Sequence, residues 1–334
     1  MVTINDIARK ANVSKSTVSK VINNYPGVKD ETREKVLKVM QENNYWPNAV
    51  ARSLSTSKSY IIGMFVPSHL NNFFFREVIR GVEEVFGEMG YDLLYFTNER
   101  WDEKGVDFSY VEKCQNRNVD GAMLMGFGDV EETQFACLVD SDIPTVFIDR
   151  AMTGNKTSYL ISDNKGGAQT AVKYLYQCGH RKLGIFTGPR ALKTARDRLV
   201  GFRETVEELD LSSKPEWFFS ADYDRAEENG YEFMEEILSL KEKPTAVFGE
   251  DMFLIGAIKC LRERGLDVPK DFSFVGFDNI ELSRHYKLTT VSQKKLDMGR
   301  SAARLLLSIM EEEVYSPVVM PTELVERNSC RPLN

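Results

Sequence analysis

The first 46 residues carry apolar positions at helical spacing, interrupted by polar turns. Thr3 is placed to cap a first helix, with Asp6 at the third position of that helix. Ser14 is placed to cap a second helix that runs from about residue 15 to residue 23. The apolar positions of the two helices are Ile4, Ile7, Ala8, Ala11, Val18, Val21 and Ile22. This pattern predicts two short helices on a tight turn, followed by a third helix.

From residue 60 onward the pattern changes to short apolar runs that alternate with amphipathic segments. The runs of strand length cover 60–66, 91–96, 120–125, 144–148, 159–162, 182–187, 216–220, 245–248, 272–277, 288–292 and 317–327. The helical segments lie near 74–89, 105–117, 131–140, 165–178, 195–209, 224–240, 251–264 and 295–312. Such alternation is typical of parallel sheets covered by helices on both faces. Two sets of about five strands predict two similar doubly wound lobes.

Charge is distributed unevenly between the two parts of the chain. Residues 1–60 contain ten Lys or Arg and five Asp or Glu, whereas the rest contains 33 basic and 45 acidic residues. A basic head on an acidic body is expected when only the head meets phosphate. The net charge of −7 for the whole chain hides this asymmetry.

Other functional classes lack their usual signals in this sequence. The five cysteines and three histidines show no spacing typical of a disulfide framework or a metal site. Neither a signal peptide nor a membrane-spanning run is recognisable, so the sequence predicts a cytoplasmic protein with no membrane partner. A Walker-type phosphate loop and a nucleophile elbow are also missing from the sequence. We therefore expect no enzyme, no cofactor and no metal, and no secreted sugar-binding protein.

The second helix offers a hydrogen-bonding face opposite its apolar residues. The recognition helix of a helix-turn-helix unit enters the major groove of DNA with its first residues at the base edges. Base contacts are therefore expected from Lys15, Ser16 and Lys20. Phosphate contacts are expected from Thr3, Ser14, Thr17, Ser19 and Asn23. Two amphipathic helices on a polar turn also occur without DNA binding, so this pattern alone leaves both interpretations open.

Three stretches show a specific resemblance. They are VTINDIARKANVSKSTVSKVIN at 2–23, TREKV at 32–36 and NYWPNAVARSL at 44–54. These stretches are similar to the head and hinge of the lactose-repressor (LacI/GalR) family of bacterial transcriptional regulators.

Two positions depart from the family. Lys20 replaces a usual arginine, which keeps the charge but loses the rigid fork geometry. Lys29 stands where the family caps its third helix with serine, so Asp30 is expected to take over that role.

Residues 47–54 begin with proline and span only about two turns, too few for a stable isolated helix. The resemblance implies that this hinge segment becomes helical on DNA, paired with its counterpart from a second subunit. It further implies minor-groove contacts by Ala51, Arg52 and Leu54, with Leu54 wedged into a central base step. A plain interdomain linker is the alternative, and residues 55–59 are linker-like in either case.

The resemblance also implies a body like a periplasmic sugar-binding protein, with a small-molecule effector bound between its lobes. The expected domains are a helix-turn-helix head (1–46), a hinge helix and linker (47–59) and an effector-binding and dimerisation core (60–334). Lobe 1 of the core is expected to comprise about 60–160 plus 291–320. Lobe 2 is expected to comprise about 161–290 plus 321–334.

Ligands of doubly wound sheets bind beyond the carboxyl ends of the strands, which defines a set of candidate effector contacts. They are Ser68, Phe74, Asp149, Arg150, Arg196, Tyr223, Glu250 and Asp278. Effector positions of the family coincide with Arg196 and Asp278, whereas Arg198 is expected to brace the loop. The carboxylates suit a neutral or cationic ligand, but Arg150 and Arg196 suit an acidic sugar or a phosphate. The identity of the effector stays open at this point.

These observations predict a sequence-specific repressor that binds a palindromic operator in double-stranded DNA as a homodimer or tetramer. A small-molecule effector, a sugar or sugar derivative, is expected to control it, and release by an inducer is favoured over corepression. One branch of the family binds a phosphorylated carrier protein near helix 295–312. The matching residues, Asp297, Gly299 and Arg304, are too generic to predict that partner.

Overall fold

The computed structural model describes residues 2–22, 25–45, 58–66, 73–96, 109–126 and 135–333. The chain divides into a head, Met1–Tyr60, and a body, Ile61–Asn334. Within the described ranges, three helices form the head, and two six-stranded sheets with their helices form the body. This is the predicted fold class, a helical head and an α/β body of two doubly wound lobes.

The head consists of α1 (Ile4–Ala11), α2 (Lys15–Ile22) and α3 (Asp30–Glu42) around a small apolar core. The buried members of this core are Ile7, Ala8, Ala11, Val18, Val21, Val36 and Met40. The small side chains of Ala8 and Ala11 allow neighbouring helices to approach α1 closely, as a helix-turn-helix unit requires.

Short polar residues begin the first two helices as predicted. The Thr3 amide donates to the Asp6 carboxylate at 3.0 Å, and the Thr3 hydroxyl accepts from the Asp6 amide at 3.4 Å. This reciprocal pair is a capping box. At α2, the Ser14 hydroxyl accepts from the amide of Thr17 at 3.1 Å. The caps satisfy amides that have no partner inside the helix.

The third helix begins differently from the prediction. Lys29 occupies the cap position and makes no side-chain cap hydrogen bond, and Asp30 is the first helical residue. Asp30 therefore does not replace the missing serine as a cap. Its carboxylate lies in the first turn with Glu31, where negative charge is favoured by the helix dipole.

The first sheet of the body consists of β1 (Ile61–Phe65), β2 (Asp92–Phe96), β3 (Gly121–Met125), β4 (Thr145–Ile148), β5 (Thr157–Ser162) and β11 (Val318–Met320). Its spatial order is β11-β5-β4-β3-β1-β2, and all neighbours are parallel. Its helices are α4 (Phe73–Glu88), α5 (Tyr110–Asn116), α6 (Ala136–Val139) and α12 (Lys295–Met310). Gly121 faces Leu306 on α12, whereas the adjacent Ala122 lies in a core with Cys114 of α5. Successive strand residues point to opposite faces, so helices cover both sides of the sheet.

The second sheet consists of β6 (Leu183–Thr187), β7 (Phe218–Ser220), β8 (Ala246–Glu250), β9 (Ser273–Asp278), β10 (Thr289–Ser292) and β12 (Glu323–Val325). Its order is β12-β10-β9-β8-β6-β7, with only the β10–β12 pair antiparallel. Its helices are α7 (Asn164–Gln177), α8 (Lys193–Glu208), α9 (Ala226–Ser239), α10 (Asp251–Glu263) and the short α11 (Glu281–His285). Two apolar cores, one with α7 and α8 and one with α9 and α10, cover its two faces.

The chain passes between the sheets after β5, after β10 and after β11. The Asp163 amide donates to the Met320 carbonyl at 2.8 Å, so two of these passages are adjacent. Each passage leaves the carboxyl end of a strand. The carboxyl ends of the two sheets therefore face a common region, which is where open α/β sheets bind ligands.

The prediction of one strand over 317–327 is wrong. The structure has two short strands there, β11 in the first sheet and β12 in the second, separated by Pro321 and Thr322. Proline has no amide hydrogen to continue a ladder, so the chain leaves one sheet at this point and enters the other. The start of the predicted strand 216–220 is likewise occupied by a 3₁₀ turn, Pro215–Trp217.

Helices α4 and α12 cross at two glycines. A Cβ added to Gly299 on α12 would lie 2.0 Å from the Val78 carbonyl oxygen on α4. A Cβ on Gly81 would lie 2.2 Å from the Leu296 carbonyl oxygen. No side chain fits between the two backbones, so this crossing requires glycine on both helices.

Candidate functional site

The exposed side of α2 carries the three residues predicted to contact bases. Lys15, Ser16 and Lys20 are exposed, while Val18 and Val21 on the opposite side are buried in the head core. The apolar face of α2 is therefore used for packing, and its polar face is turned to solvent. This is the presentation that major-groove reading requires of a recognition helix.

Hydroxyl groups predicted to hold phosphates surround the start of this helix. The Ser14 hydroxyl lies 2.7 Å from the Ser16 hydroxyl and 2.8 Å from that of Thr17. Ser19 is half-buried further along α2, and Thr3 is exposed at the start of α1. Five further predicted contacts lie outside the described residues and stay predictions: Asn23, Ala51, Arg52, Leu54 and Ser68.

In the body, the structure brings three predicted carboxylates to the carboxyl ends of the two sheets. Asp149 directly follows β4 of the first sheet, and Glu250 and Asp278 are the last residues of β8 and β9 in the second. Asp149 has a φ of 64° and Asp278 a φ of 106°, conformations in which non-glycine residues are strained. Strained residues of this kind concentrate at binding sites, and here both present a carboxylate to the same region.

Arg198 on α8 lies at the centre of these carboxylates. Its Nη1 donates to Glu250 Oε1 at 2.7 Å, and its Nη2 lies 3.8 Å from Asp278 Oδ1. Its Nε donates to Asn164 Oδ1 at 2.8 Å. The guanidinium also covers the ring of Phe277, 4.3 Å from the ring centroid. Only 4% of Arg198 is exposed, so these ionic contacts are formed away from bulk water.

The structure places the two arginines of α8 in different surroundings. Arg196, expected to contact the effector, is exposed and donates to the carbonyl oxygens of Arg190 and Ala191 at 3.1 and 2.6 Å. Arg196 therefore contacts the loop before α8, and its contact with an effector stays a prediction. Residues two apart on a helix are separated by about 200°, so the two side chains leave α8 in nearly opposite directions.

Burial raises the pKa of the two aspartates of the cluster towards neutral pH. Burial raises the pKa of Asp149 to about 7, with the Arg198 guanidinium opposing the shift and Asp278 adding to it. Burial likewise raises the pKa of Asp278 to about 6, against the pull of Arg198 and with a contribution from Glu250. Burial alone would lower the pKa of Arg198, but the surrounding acidic groups outweigh it and raise that pKa above its ordinary value. The cluster can therefore exchange a proton near pH 7 while the arginine stays charged.

Within the described ranges, hydrogen-bond donors reach one carboxylate oxygen of Glu250, Oε1, and not the other. Its Oε1 accepts from Arg198, from the Gly188 amide at 3.3 Å and from the Tyr223 hydroxyl at 3.3 Å. The Tyr223 ring is 38% exposed, but its hydroxyl end is buried, and this burial together with Glu250 raises the pKa of Tyr223. Its hydroxyl consequently remains a donor at neutral pH.

Three buried acceptor atoms in this region take no hydrogen bond from the described part of the chain: Asp149 Oδ1, Glu250 Oε2 and Gln293 Oε1. Gln293 follows β10, and its Nε2 donates to Asp278 Oδ1 at 2.5 Å. Sequence reasoning missed Gln293, although its position after a strand is the signal that selected the other candidates. Buried acceptors are normally paired with protein, water or ligand, so these atoms mark the surface of a binding site.

Groups behind the cluster fix the loop that carries Asp278. The Lys295 ammonium donates to the carbonyl oxygens of Asp278 and Asn279 at 2.5 and 2.8 Å and lies 3.7 Å from the Glu77 carboxylate. Asp251 accepts from the Ser283 and Thr290 hydroxyls and from the Ile280 amide, at 2.5, 2.7 and 3.0 Å. These contacts are structural, and they hold the strained backbone of Asp278 in place.

Two predicted effector residues of the first sheet pack against aromatic rings. Phe74, in the first turn of α4, is half-buried and meets Phe75 edge-on, with ring centroids 5.1 Å apart. The Arg150 guanidinium lies over the Phe135 ring, 4.8 Å from its centroid. The effector roles of Phe74 and Arg150 stay predictions.

None of the helices in the described ranges is long and apolar enough to cross a bilayer. The same part of the chain contains no group of three or more acidic, cysteine or histidine side chains suited to a metal ion.

Two family models match the chain. The model described as "Bacterial regulatory proteins, lacI family" matches residues 3–48, and that described as "Periplasmic binding protein-like domain" matches residues 172–330. The first covers α1 to α3. The second covers all six strands of the second sheet and also includes α12.

Curated relatives match over the whole chain. The transcriptional repressor PurR of Haemophilus influenzae (strain PittEE) is 37% identical over 339 residues, covering 99% of this chain and 99% of the relative. The PurR repressor of Aliivibrio salmonicida (strain LFI1238) is 34% identical over 339 residues, covering 100% of both. Both the head and the body therefore have a counterpart in these proteins.

Solved structures show the same architecture. A lac repressor dimer bound to operator and the anti-inducer ONPF is similar with a TM-score of 0.82 and 26% identity, covering 99% of both chains. A complex of the transcriptional regulator CelR with cellobiose is similar with a TM-score of 0.70 and 26% identity, covering 98% of this chain and 100% of that one. From its head, its body and its full-length relatives, this chain belongs to the LacI family of DNA-binding transcriptional repressors.

Proposed function

We propose that this repressor binds a palindromic operator as a homodimer and that a small neutral molecule, held by the cluster around Arg198, changes its operator affinity. The observation that carries this proposal is the cluster itself. It joins Asp149 of the first sheet to Arg198, Glu250 and Asp278 of the second, and leaves buried acceptor atoms open. A ligand at this point contacts both lobes, so its binding favours one arrangement of the lobes over another.

The exposed face of α2 supports operator reading by the head. Lys20 and Lys15 place two cationic donors, and Ser16 a hydroxyl, on a helix whose other side is packed. One such head reads one half-site, and a two-fold dimer reads a palindrome. The lac repressor similar to this chain is itself a dimer bound to operator.

The charge of the cluster supports a hydrogen-bond donor as effector. Three carboxylates surround one arginine that is already paired with Glu250, and the second candidate arginine, Arg196, lies on the exposed side of α8. An acidic sugar or a phosphate would meet net negative charge there. A neutral sugar presents adjacent hydroxyl donors to carboxylate and amide oxygens, and the CelR regulator similar to this chain is complexed with the sugar cellobiose.

Purine bases form the second ligand class. They present ring N–H donors to carboxylate and amide oxygens and a planar face to apolar side chains. The curated relatives of this chain are PurR repressors, which favours testing this class beside sugars. The same open acceptors, Glu250 Oε2, Asp149 Oδ1 and Gln293 Oε1, would pair with either class.

The operator is tested with the full-length protein and genomic DNA fragments at about 0.15 M salt, where nonspecific phosphate contacts are weakened. Recovery of a palindromic sequence, bound by a species that sedimentation shows to be a dimer, is the expected result. Binding that depends on salt but not on sequence would contradict operator reading, and a monomer on a half-site would contradict the dimer.

The effector is tested by thermal unfolding of the same protein with matched ligand pairs, each a neutral sugar and its uronic acid, and with purine bases. A neutral compound should raise the melting temperature and change the affinity for the recovered operator. Lys20→Ala serves as control, because it lies in the head and should lose selectivity for DNA while keeping ligand-induced stabilisation. Stronger stabilisation by the acidic member of a pair would contradict a carboxylate-centred site.

A further inference from the structure

A cavity of about 450 Å³ lies beside the edge strand of the second sheet. Its walls come from the 3₁₀ turn before β7, from β7 itself, and from the last turns of α9 with the residue that follows. Within the described ranges, no strand pairs with the outer side of β7. The lining residues do not include any member of the cluster around Arg198. Pockets for small molecules measure about 300–1,000 Å³, so the cavity has the size of a second ligand site.

Two aromatic rings form an apolar wall of this cavity. The rings of Phe219 on β7 and Phe233 on α9 have their centroids 5.0 Å apart and their planes inclined by 30°. The fully buried ring of Phe186 meets both edge-on, 5.5 Å from Phe219 and 5.3 Å from Phe233. Both wall rings are only half-buried. They are therefore held in place from behind while part of their surface stays accessible to a ligand.

The polar side chains that line the cavity offer hydrogen-bond acceptors. The carboxylates of Glu216 and Glu236 are exposed, and neither forms a salt bridge with the part of the chain that the structure describes. The Ser220 hydroxyl donates to the Gly188 carbonyl at 2.8 Å, and the Ser239 hydroxyl donates to the carbonyl of Glu236 at 2.7 Å. A hydroxyl has one proton to donate, so both serine oxygens are left with lone pairs only.

Two lysines near the cavity are engaged with other groups. The Lys214 ammonium pairs with the Glu242 carboxylate, and the Lys243 ammonium donates to the Leu240 carbonyl. Neither lysine lines the cavity. The side chains that do line it therefore carry two negative charges and no positive charge.

We propose that this cavity binds a small organic cation, namely an ammonium group carried on an apolar body such as an aromatic ring. An ammonium group has three hydrogen-bond donors and no acceptor, which complements the acceptors of the lining side chains. Its charge is attracted by the carboxylates of Glu216 and Glu236 and by the faces of aromatic rings. The apolar body covers Phe219 and Phe233 and removes their surface from water.

Ligands of other charge fit the cavity less well. An anion of the same shape would be repelled by the two carboxylates. A neutral alcohol would cover the same rings, but it would leave the negative charge of the cavity without a counter-ion. The order of affinity among ligands of equal shape therefore reports the chemistry of the site.

The test is isothermal titration calorimetry of the full-length protein at neutral pH with three probes of similar shape. Phenethylamine is a cation, phenethyl alcohol is neutral and hydrocinnamate is an anion. Phenethylamine should bind with one molecule per chain and at least about tenfold more tightly than phenethyl alcohol, and hydrocinnamate should give no saturable binding. Added salt should weaken the binding of the amine, because the two carboxylates are exposed and are screened by ions.

Two pairs of substitutions locate the bound amine. Glu216→Gln combined with Glu236→Gln should reduce the affinity for phenethylamine to that for phenethyl alcohol. Glu207→Gln combined with Glu228→Gln is the matched control, because it makes the same change in net charge at two exposed positions outside the cavity. The control should bind phenethylamine as the unsubstituted protein does. Glu236→Gln alone should give an intermediate affinity, and it replaces the first pair if that variant fails to fold.

Three results would overturn the proposal. One is equal affinity for the three probes, and another is the lack of saturable phenethylamine binding at millimolar concentration. The third is binding of the amine that survives both substitutions in the cavity. The amine would then lie elsewhere, for example on the carboxylates around Arg198.

Discussion

Arg198→Met is the substitution that tests the effector cluster most directly. Methionine keeps much of the apolar volume against Phe277 but removes the charge and both short hydrogen bonds, to Glu250 at 2.7 Å and to Asn164 at 2.8 Å. It leaves Glu250, Asp149 and Asp278 without their shared cation. The expected result is a strongly destabilised body.

The magnitude follows from the burial of the pair. Both Arg198 and Glu250 are less than 5% exposed, so the remaining carboxylate cannot recover its hydration. Removing one partner of a buried ion pair lowers the free energy of unfolding by about 3–5 kcal/mol. At about 2–4 °C per kcal/mol for a domain of this size class, the melting temperature should fall by roughly 10 °C.

The assay is thermal and urea unfolding of the full-length protein, followed by circular dichroism at pH 8 and pH 5.5. The loss should be smaller at pH 5.5, because the carboxylates that have lost Arg198 become protonated more readily. Adding Glu250→Gln to Arg198→Met should recover part of the stability, because an amide needs no counter-ion. A double-mutant cycle over these variants measures the coupling free energy of the pair.

Arg196→Met is the matched control, on the same helix and with the same change in charge. Arg196 is exposed, and in the part of the chain that the structure describes its guanidinium donates to two loop carbonyls. Its substitution should therefore change stability by less than about 0.5 kcal/mol. If Arg198→Met melted as the Arg196 variant does, or if the cycle gave no coupling, the reasoning about a buried carboxylate cluster would be refuted.

Three other predictions concern the pH profile, the recognition helix and the helix crossing. Because the pKa values of Asp149 and Asp278 are raised to about 7 and about 6, the native state holds protons that the unfolded state has lost. Their contribution to the free energy of unfolding is fully present below about pH 4 and declines as pH rises towards 7. The decline is at most about 1.4 kcal/mol per pH unit for each group. Melting curves recorded from pH 4 to 8 measure this decline. Lys20→Ala should relax selectivity at one base pair of the operator by about 1–3 kcal/mol, measured by anisotropy with single-base operator variants. Gly299→Ala should destabilise the body by at least about 1–3 kcal/mol, because the added methyl meets the backbone of α4, and denaturant unfolding measures the loss.

Each of these predictions has its own control. The variant with Asp149→Asn and Asp278→Asn should melt at a temperature that depends less on pH between 4 and 7. An unchanged pH dependence would mean that other groups cause it. For Lys20, equal weakening on all DNA sequences would identify a phosphate contact instead of a base contact. Gly87→Ala on α4 is the control for Gly299, because nothing lies within 4 Å of the added methyl and φ is negative. That alanine should leave stability unchanged or raise it by up to about 1 kcal/mol.

The sequence determined the head and the element order because these depend on local signals. Thr3 and Ser14 begin their helices as predicted, since a cap needs only amides two or three residues away. The alternation of strands and helices follows from side-chain periodicity, which is also local. The prediction for Asp30 was wrong because α3 begins one residue earlier than expected, at Asp30 itself. Lys29 therefore occupies the cap position.

Part of the candidate effector site was predictable for a topological reason. Parallel strands present their carboxyl ends at one edge, so residues after strands tend to meet. Asp149, Tyr223, Glu250 and Asp278 do come together in the structure. The same argument applied to Gln293 would have found it.

Only the tertiary structure decided the remaining features. Arg196 and Arg198 are equivalent by residue type, and the angle at which α8 packs on its sheet determines which one is buried against Glu250. Segment 317–327 has continuous strand character, yet its two halves pair with different sheets. Leu333 and Cys178 are distant in the sequence, and the hydrogen bond from the Leu333 amide to the Cys178 carbonyl forms because the tail returns to the end of α7. Local spacing determines periodicity, caps and element ends, whereas contacts between distant residues depend on how the finished elements pack.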